Sequence, residues 1–596
     1  MAESKTPSTN AEQLITEHLD IWTTAIEQKS SSGRGSSKKF SLHGIKKLRE
    51  LILELAVRGK LVPQDPNDEP ASVLLERIAN EKAQLIKDKK IKKPKILPKI
   101  SEDEKPFELP KSWNWVRLSE VADYNGRPNM APEQINESTW LLDLEDIEKD
   151  TSKLIYRAQY SERESKSNKS IFQKGDVLYG KLRPYLNKVL IADSDGVCTT
   201  EIVAIVPSKA IQAEYLRCLL KSPSFISYVN SLMYGVKMPR LGTQDAICSI
   251  HPLAPLNEQK RIVAKVDELM GLCDALEAQT ETSITAHQTL VEVLLEALLK
   301  TPEQTATPEQ ATAQFQQNWQ RLSEHFDTLF TTTASIDTLK QTILQLAVMG
   351  KLVPQNPDDE PAAKLLERIA AEKAQLIKDK KIKKQKPLPA ICENEQSLPK
   401  GWSTSYMQDI TKVVTCGIAS TPKYKEEGRI FLSAKNVKPY KFMPEDHKFV
   451  DEETFRKVTQ NANPEKGDIL LTRVGAGIGE AAVVDIEIEF AFYVSLTLLK
   501  PFQNHLDSNF LLLWLNSPQG TKKSIDNIYG RGVSAGNLNV NQVRGFVVPI
   551  PPLEEQHRIV AKVDELMTLC DQLKARLTDA QTTKLHLTDA IVEQAL

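Results

Sequence analysis

Cysteine is scarce in this sequence and never paired. Its seven residues (Cys198, Cys218, Cys248, Cys273, Cys392, Cys416, Cys570) are an odd number, scattered, with no C-x-x-C among them. That excludes a disulfide framework and a zinc knot, and leaves reduced core thiols. An excess of charge of one sign is also missing. A formal net charge of −2 over 596 residues gives no global pull toward nucleic acid, so any DNA binding must come from local patches or be shared with partners. No apolar run approaches the ~18 residues a membrane span needs, and Met1–Gln13 is polar, so a cytoplasmic protein with no membrane contact is expected.

The catalytic signatures are missing too. The chain contains no G-x-x-x-x-G-K-[ST] phosphate loop, no Asn/Asp-Pro-Pro-aromatic motif of an amino-methyltransferase and no histidine-rich metal spacing. No catalytic, cofactor-binding or metal residue is therefore expected in this chain. What remains is an ordinary globular mixture, 26% charged and 40% hydrophobic, long enough for about three to five domains.

The chain is written twice. Leu48–Lys93, from LRELILELAVRGKLVPQ to EKAQLIKDKKIKK, recurs as Leu339–Lys384 with 36 identities in 46 positions and no gap. Leu256–Leu276, LNEQKRIVAKVDELMGLCDAL, recurs as Leu553–Leu573 with 17 identities in 21. The approach to the first repeat has an echo as well, Ile15-Thr-Glu-His-Leu-Asp20 against Leu322-Ser-Glu-His-Phe-Asp327, although the first copy carries an extra Ser/Gly-rich loop around Ser30–Ser37.

Between the repeats lie two inserts, about Leu109–Pro255 and Leu398–Pro552. They share an entrance, Leu-Pro-Lys-x-Trp ending at Trp113 and Trp402, and a middle stretch, Lys174-Gly-Asp-Val-Leu178 against Lys466-Gly-Asp-Ile-Leu470. From Lys174–Asp193 against Lys466–Asp485, however, only five of twenty positions are identical. This pattern implies a shared fold with different surfaces.

Ile262, Val266, Leu269, Cys273 and Leu276 step by 4 and 3, as do Ile559, Val563, Leu566, Cys570 and Leu573, the 3.5-residue period of a coiled-coil seam. The spacing continues through Val291, Leu294 and Leu298 and predicts a helix over Asn257–Lys300, ahead of a Thr-Pro-Glu-Gln hinge where Pro302 and Pro308 suit the first turn of another helix. The longer repeat predicts two helices, one stopped by Gly59 and one starting at Pro70. Within the inserts, Val177–Tyr179, Val189–Ile191, Ile202–Val206 and Ile469–Leu471 predict strands and Ala213–Leu220 a helix.

Two stretches mimic enzyme motifs. Val474-Gly-Ala-Gly-Ile-Gly-Glu480 could pass for a dinucleotide or S-adenosylmethionine loop, but its third glycine comes one position early and the matching Leu182-Arg-Pro-Tyr-Leu-Asn-Lys188 has none, so a tight turn is expected. Pro357-Asp-Asp-Glu-Pro-Ala-Ala-Lys364 resembles a nuclease acidic cluster. Its twin at Pro66 lacks the lysine, and both stand where a helix should begin, so helix capping is expected.

A lysine run, Lys87, Lys89, Lys90, Lys92, Lys93, Lys95 and Lys99, with its twin Lys378, Lys380, Lys381, Lys383, Lys384 and Lys386, leads into each insert. It suits DNA phosphates and a solvated linker equally. Trp113, Trp115 and Trp402 suit core positions. Arg and Lys match guanine edges and Asn matches adenine, so two loops per insert hold the candidates for reading bases. In the first insert these are Lys181, Arg183, Tyr185 and Asn187, then Lys237, Arg240 and Thr243 after Tyr234. In the second they are Arg473, then Arg531, Ser534, Asn537 and Asn539 after Tyr529.

The paired Pro-Leu-x-Glu-Gln-x-Arg-Ile-Val-Ala-Lys-Val-Asp-Glu-Leu-Met segments, each closing an insert that contains Lys-Gly-Asp-Val/Ile-Leu, resemble the specificity subunit of type I restriction-modification systems. The likeness runs over nearly the whole chain from about Leu48 and says least about Met1–Phe40. It implies an α+β architecture: two α/β target-recognition domains separated by long antiparallel coiled-coil-like helices formed by the repeats. The expected segments are a helical region 1–108, recognition domain 109–255, a helical spacer 256–397, recognition domain 398–552 and a helical region 553–596.

It also implies a non-catalytic reader of an asymmetric bipartite site in double-stranded DNA, docked by two methyltransferase subunits that flip out an adenine and by two translocating nuclease (restriction) subunits. S-adenosylmethionine, ATP and Mg²⁺ would belong to those partners. The residues alone leave a self-contained DNA methyltransferase and a coiled-coil scaffold open as alternatives, the first weakened by the missing motifs.

Overall fold

The computed structural model describes residues 10–28, 40–87, 97–163, 167–232, 238–300, 308–391, 398–460, 463–529 and 536–596. Two compact units emerge, Met1–Ile284 with Ala580–Leu596, and Thr285–Asp579. Each unit contains one copy of the longer repeat, one insert, the first half of one long helix and the closing turns of the other.

The long helices are Leu256–Leu299 and Leu553–Ala595, the first about 66 Å long at ~1.5 Å per residue. Their seams face inward as the period demands. Ile262, Val266, Leu269 and Cys273 are buried in the first unit, and Ile559, Val563 and Cys570 in the second, while Leu276, Leu566 and Leu573 pack at the margins. Pro308 opens the next helix, Pro308–Glu324, and Pro302 lies outside the described residues.

The longer repeat folds as His43–Val57 then Ala71–Lys87, and again as Thr333–Val348 then Ala362–Lys378. Gly59 and Gly350, both at φ +68°, end the first helix of each pair, and the N–H groups of Lys60 and Lys351 donate back to the carbonyls of Leu55 and Leu346 at 2.9 Å. Only glycine suits this place on two counts. The backbone is left-handed there, and a Cβ would stand 2.5 Å from Pro110 Cγ in one unit and from Pro399 Cγ in the other. The echo before the repeat is structural too. Helix Leu19–Thr24 buries Trp22 against His43–Val57, with Gly44 so close that a Cβ would meet the Trp22 carbonyl oxygen at 2.3 Å.

Each insert begins and ends on neighbouring strands, Asn114–Arg117 antiparallel to Ile250–Leu253, and Ser403–Tyr406 antiparallel to Val547–Ile550. Inside, both build the same four-stranded antiparallel sheet. Its order is Val189–Ile191, Val177–Gly180, Ile202–Pro207, Ala122–Tyr124 in the first, and Ala481–Val483, Ile469–Thr472, Leu496–Pro501, Thr411–Cys416 in the second. The predicted helix is Ala213–Lys221.

A repeated junction fastens insert to helix. The Glu258 carboxylate accepts from Gln64 Nε2 (2.5 Å) and Trp113 Nε1 (2.9 Å), and Gln259 bonds Gln212 N and the carbonyls of Ala210 and Ala254. In the second unit Glu555 accepts from Gln355 (2.7 Å) and lies beside the Trp402 indole, while Gln556 bonds Asp507 N and Pro551 O. Burial pushes both carboxyls above the usual range.

Here one expectation is corrected. The acidic cluster before helix Ala362–Lys378 does not cap it: the N-cap is Pro361, with no side-chain cap. Asp359 instead reaches Arg558 (2.5 Å), as Asp68 reaches Arg261 (2.6 Å), because a nearby arginine on the long helix is a stronger partner than solvated helix-end N–H groups. Trp113 and Trp402 are core residues, and Trp115 is half-buried.

Candidate nucleic-acid interface

The described parts of the two loops singled out in each insert lie side by side. In the first, the hairpin loop after Val177–Gly180 and the loop before helix Thr243–Cys248 are strapped together: Leu241 N donates to Lys181 O (3.0 Å) and Arg183 N to Pro239 O (2.8 Å). In the second, Leu538 N donates to Arg473 O (2.9 Å), and a bridge joins Val474 to Asn537. Leu241 and Leu538 are buried as pegs beneath each strap.

The glycine loop is the same hairpin loop with its side chains removed. Arg183 (φ +49°) and Asn187 (φ +51°) are left-handed in the first insert, and the positions matching them in the second are Gly475 (φ +99°) and Gly479 (φ +94°). The loop joins two antiparallel strands, and no helix begins there to meet a phosphate. Its glycines answer a backbone requirement. Where the first insert meets that requirement with Arg and Asn, each left-handed residue costs about 1–2 kcal/mol.

Support for this loop comes from Lys221, whose ammonium donates to Asp150 O (2.8 Å), Thr151 O (3.1 Å) and Ser152 Oγ (2.9 Å). That turn holds the hairpin loop, Asp150 N donating to Leu186 O (3.1 Å) and Ser152 Oγ to Asn187 O (2.8 Å). Burial pushes the Lys221 pKa down to about 8.

The two inserts invert one polar pair. In the first, Arg240 comes from the second loop and is gripped bidentately by Glu201 (3.0 and 2.8 Å), which holds the Glu201 carboxyl below its ordinary range. In the second the arginine comes from the first loop. Arg473 is 7% exposed and donates to Leu538 O (2.9 Å), Val494 O (3.1 Å) and Asn537 Oδ1 (2.8 Å). Arg240 stays exposed on its rim, whereas the Arg473 guanidinium is committed inward.

Arg183 and Tyr185 are exposed, and Lys181 and Asn187 half-buried. Thr243 and Asn537 are exposed, and Asn539 caps helix Val540–Arg544 through Asn541 N (2.9 Å). Lys237, Arg531 and Ser534 lie outside the described residues.

The family model of the type I restriction modification DNA specificity domain matches twice, at residues 110–286 and 399–580, together more than half of the chain. The type I restriction enzyme EcoAI specificity subunit of Escherichia coli is 40% identical over 604 aligned residues, covering 98% of this chain and 100% of that one. The EcoEI specificity subunit of the same species is 39% identical over 608, covering 98% and 99%. A crystal structure of the HsdS subunit from Thermoanaerobacter tengcongensis aligns with a TM-score of 0.40 and 20% identity, over 83% of this chain and 98% of that one. This chain belongs to the type I restriction-modification specificity subunits.

As a specificity subunit it is not itself an enzyme. Sequence reasoning passed over three residues that stand at or support these loops. Glu201 and Lys221 carry no motif and matter only through what the fold brings to them. Tyr529, 83% exposed on hairpin Ile528–Tyr529/Asn537–Leu538, was marked by the shared Tyr-Gly but not as a contact. Among the described residues no helix is long and apolar enough to cross a membrane.

Proposed function

We propose that this specificity subunit reads an asymmetric, bipartite target in double-stranded DNA, one half through insert 109–255 and the other through 398–552. The observation that carries the proposal is one backbone frame carrying two different sets of side chains at corresponding loop positions. Lys181, Arg183, Tyr185, Asn187, Arg240 and Thr243, with Lys237, serve the first half-site. Asn537 and Asn539, with Arg531 and Ser534, serve the second, and Arg473 acts there by holding both loops in register. Strained left-handed backbone at Arg183 and Asn187 supports a role for those side chains, since such conformations cluster at functional sites.

Two methyltransferase subunits and two restriction subunits dock on the repeats, bringing S-adenosylmethionine, ATP and Mg²⁺, and the complex works in the cytoplasm. Much of the repeated Glu-Gln-x-Arg motif is spent on the internal junction, so docking rests on what stays outside. Leu272 and Leu569 (54% and 52% exposed) are identical and matched in position, as are Leu290 and Leu587 (50% and 44%). Exposed leucines repeated on the two long helices support two copies of one partner.

Domains on a rigid spacer enter major grooves on one DNA face about 10 base pairs apart, which leaves roughly 6–7 unread base pairs between half-sites of about 3–4. The test is methylome sequencing of cells in which 109–255 is replaced by the corresponding domain of a relative. One half-site should change while the other half and the gap persist. A continuous palindromic site, or a change in both halves, would sink the reading.

A further inference from the structure

Between helix Ala362–Lys378 and the second insert, six lysines stand within nine residues: Lys378, Lys380, Lys381, Lys383, Lys384 and Lys386. All six are exposed, and none has a carboxylate within ion-pairing distance among the described residues, although other lysines of the same unit such as Lys340, Lys373 and Lys500 all do. The only acid in the run is Asp379, which accepts from Gln375 Nε2.

The segment is not a loose tether. The helix closes with Lys381 N donating to Leu376 O (2.9 Å), and Lys380 takes the left-handed conformation (φ +57°) at the place where glycine is preferred. Leu376 packs on the core of the second insert, and Ile382 and Gln385 are half-buried. The far end is tied to the recognition domain through Lys386 O, which accepts from Gln408 Nε2 (3.4 Å), and the carbonyl of Gln408 in turn accepts from Lys373 Nζ. Apolar and amide groups face in and ammonium groups face out.

We infer that this lysine stripe lies along the phosphodiester backbone of the DNA duplex and supplies affinity without sequence information. The inference rests on the DNA-reading proposal above. With a net charge of −2 the chain has no overall attraction for a polyanion, so the steering charge must be local, and here it is unpaired and ordered. Lysine is a flexible point charge suited to phosphates, whereas interfaces with proteins favour arginine and are depleted in lysine. The twin run in the first copy, Lys89–Lys95, lies outside the described residues.

The experiment combines Lys381→Gln, Lys383→Gln, Lys384→Gln and Lys386→Gln in the full chain, beside a variant carrying arginine at the same four positions. Fluorescence anisotropy with the target duplex and a scrambled duplex of equal length is read from 50 to 300 mM salt. Each lost phosphate contact should flatten the plot of log affinity against log salt by about 0.9, roughly three to four for the set, with the variant weaker than wild type at every salt concentration read and the gap narrowing as salt rises. Target and scrambled affinities should fall together, leaving their ratio within about twofold, and the arginine variant should keep the wild-type slope.

An unchanged slope would overturn the inference. So would an unchanged slope accompanied by loss of copurification with the methyltransferase partner, which would assign the stripe to an acidic protein surface. A wild-type chain that prefers no duplex over any other, yet shows the slope change in the variant, would strike the base-reading proposal and leave the stripe standing.

Discussion

The two inserts share their innermost sheet and diverge most in what is built beyond it. Beyond the common four strands, the first builds a five-stranded sheet around the parallel pair Trp140–Leu142 and Gly196–Cys198. The second keeps the equivalent parallel pair, Arg429–Leu432 with Phe490–Phe492, but edges it with Lys448–Val450 and also has the ribbon Val437–Lys438 with Lys441–Phe442 and the helix Glu452–Thr459. Even the strap between reading loops is kept as backbone and inverted as side chains, Glu201–Arg240 against Arg473–Asn537. What is held constant is main-chain hydrogen bonding and the sign of φ, and what is free to vary is the set of groups presented to a partner. That division lets a binding protein change its target without refolding.

The largest expected effects test whether each unit depends on its own helix. Val266→Asp and Val563→Asp each bury a carboxylate in a seam position 3% or 1% exposed, and each should destabilise its unit by more than about 3 kcal/mol. Urea denaturation and copurification with the methyltransferase check this, and full retention of both in either single variant would mean that seam is misassigned.

Next come the inverted arginines. Arg473→Met strips three internal acceptors of their donor and should cost about 2–3 kcal/mol of stability in the second unit. Arg240→Met removes an exposed ion pair worth about 0–1 kcal/mol, yet it should relax sequence discrimination in the first half-site. Equal losses of stability would erase the distinction between a positioning arginine and a reading one.

His251 sharpens the comparison through pH. It is fully buried on strand Ile250–Leu253, with Nε2 2.8 Å from Ser249 Oγ, and burial pushes its pKa from 6.5 to about 4. The corresponding residue of the second insert is Val548. Between pH 6.5 and 4 the unfolded chain binds the proton and the folded chain refuses it, so stability falls as pH drops through that window, by about 2 kcal/mol at pH 5. His251→Val should flatten the acid limb of a urea-midpoint profile for the first unit and leave the second untouched. An unaltered profile would mean that the histidine is not held neutral.

Much of this was legible in the sequence. Repeats and 3.5-residue spacing located the first long helix to within a residue of Leu256 and Leu299, and Gly59 ended its helix because a left-handed C-terminus has a residue type of its own. Lys181 and Arg473 could be aligned but not told apart. Their alignment says nothing of whether a Glu201 or a Ser495 faces the loop, and that contact is made across about 20 residues of chain. The acidic clusters at Pro66 and Pro357 could be placed at helix starts, but the partners of Asp68 and Asp359 could not be read: Arg261 and Arg558 lie nearly 200 residues away and only the fold brings them near. Local geometry is written locally, whereas a side chain's partner is not.

The smallest expected effects fall on the left-handed pair itself, where the two loops can be exchanged one residue at a time. Gly475, at φ +99° with no atom within 4 Å of where a Cβ would stand, is constrained by backbone conformation alone, so Gly475→Ala should cost about 1 kcal/mol through strain. Arg183 occupies the matching position at φ +49°, and Arg183→Gly relieves the same strain while enlarging the freedom of the unfolded chain. Those terms nearly cancel, leaving the melting temperature of the first unit within a few degrees of wild type. Binding should behave differently, because the exposed guanidinium is gone: affinity for the target duplex should drop about tenfold or more, with the loss confined to discrimination in the first half-site. A glycine at 183 that left both stability and discrimination unchanged would show that the left-handed arginine is an accident of sequence, and that the two loops differ in composition without differing in use.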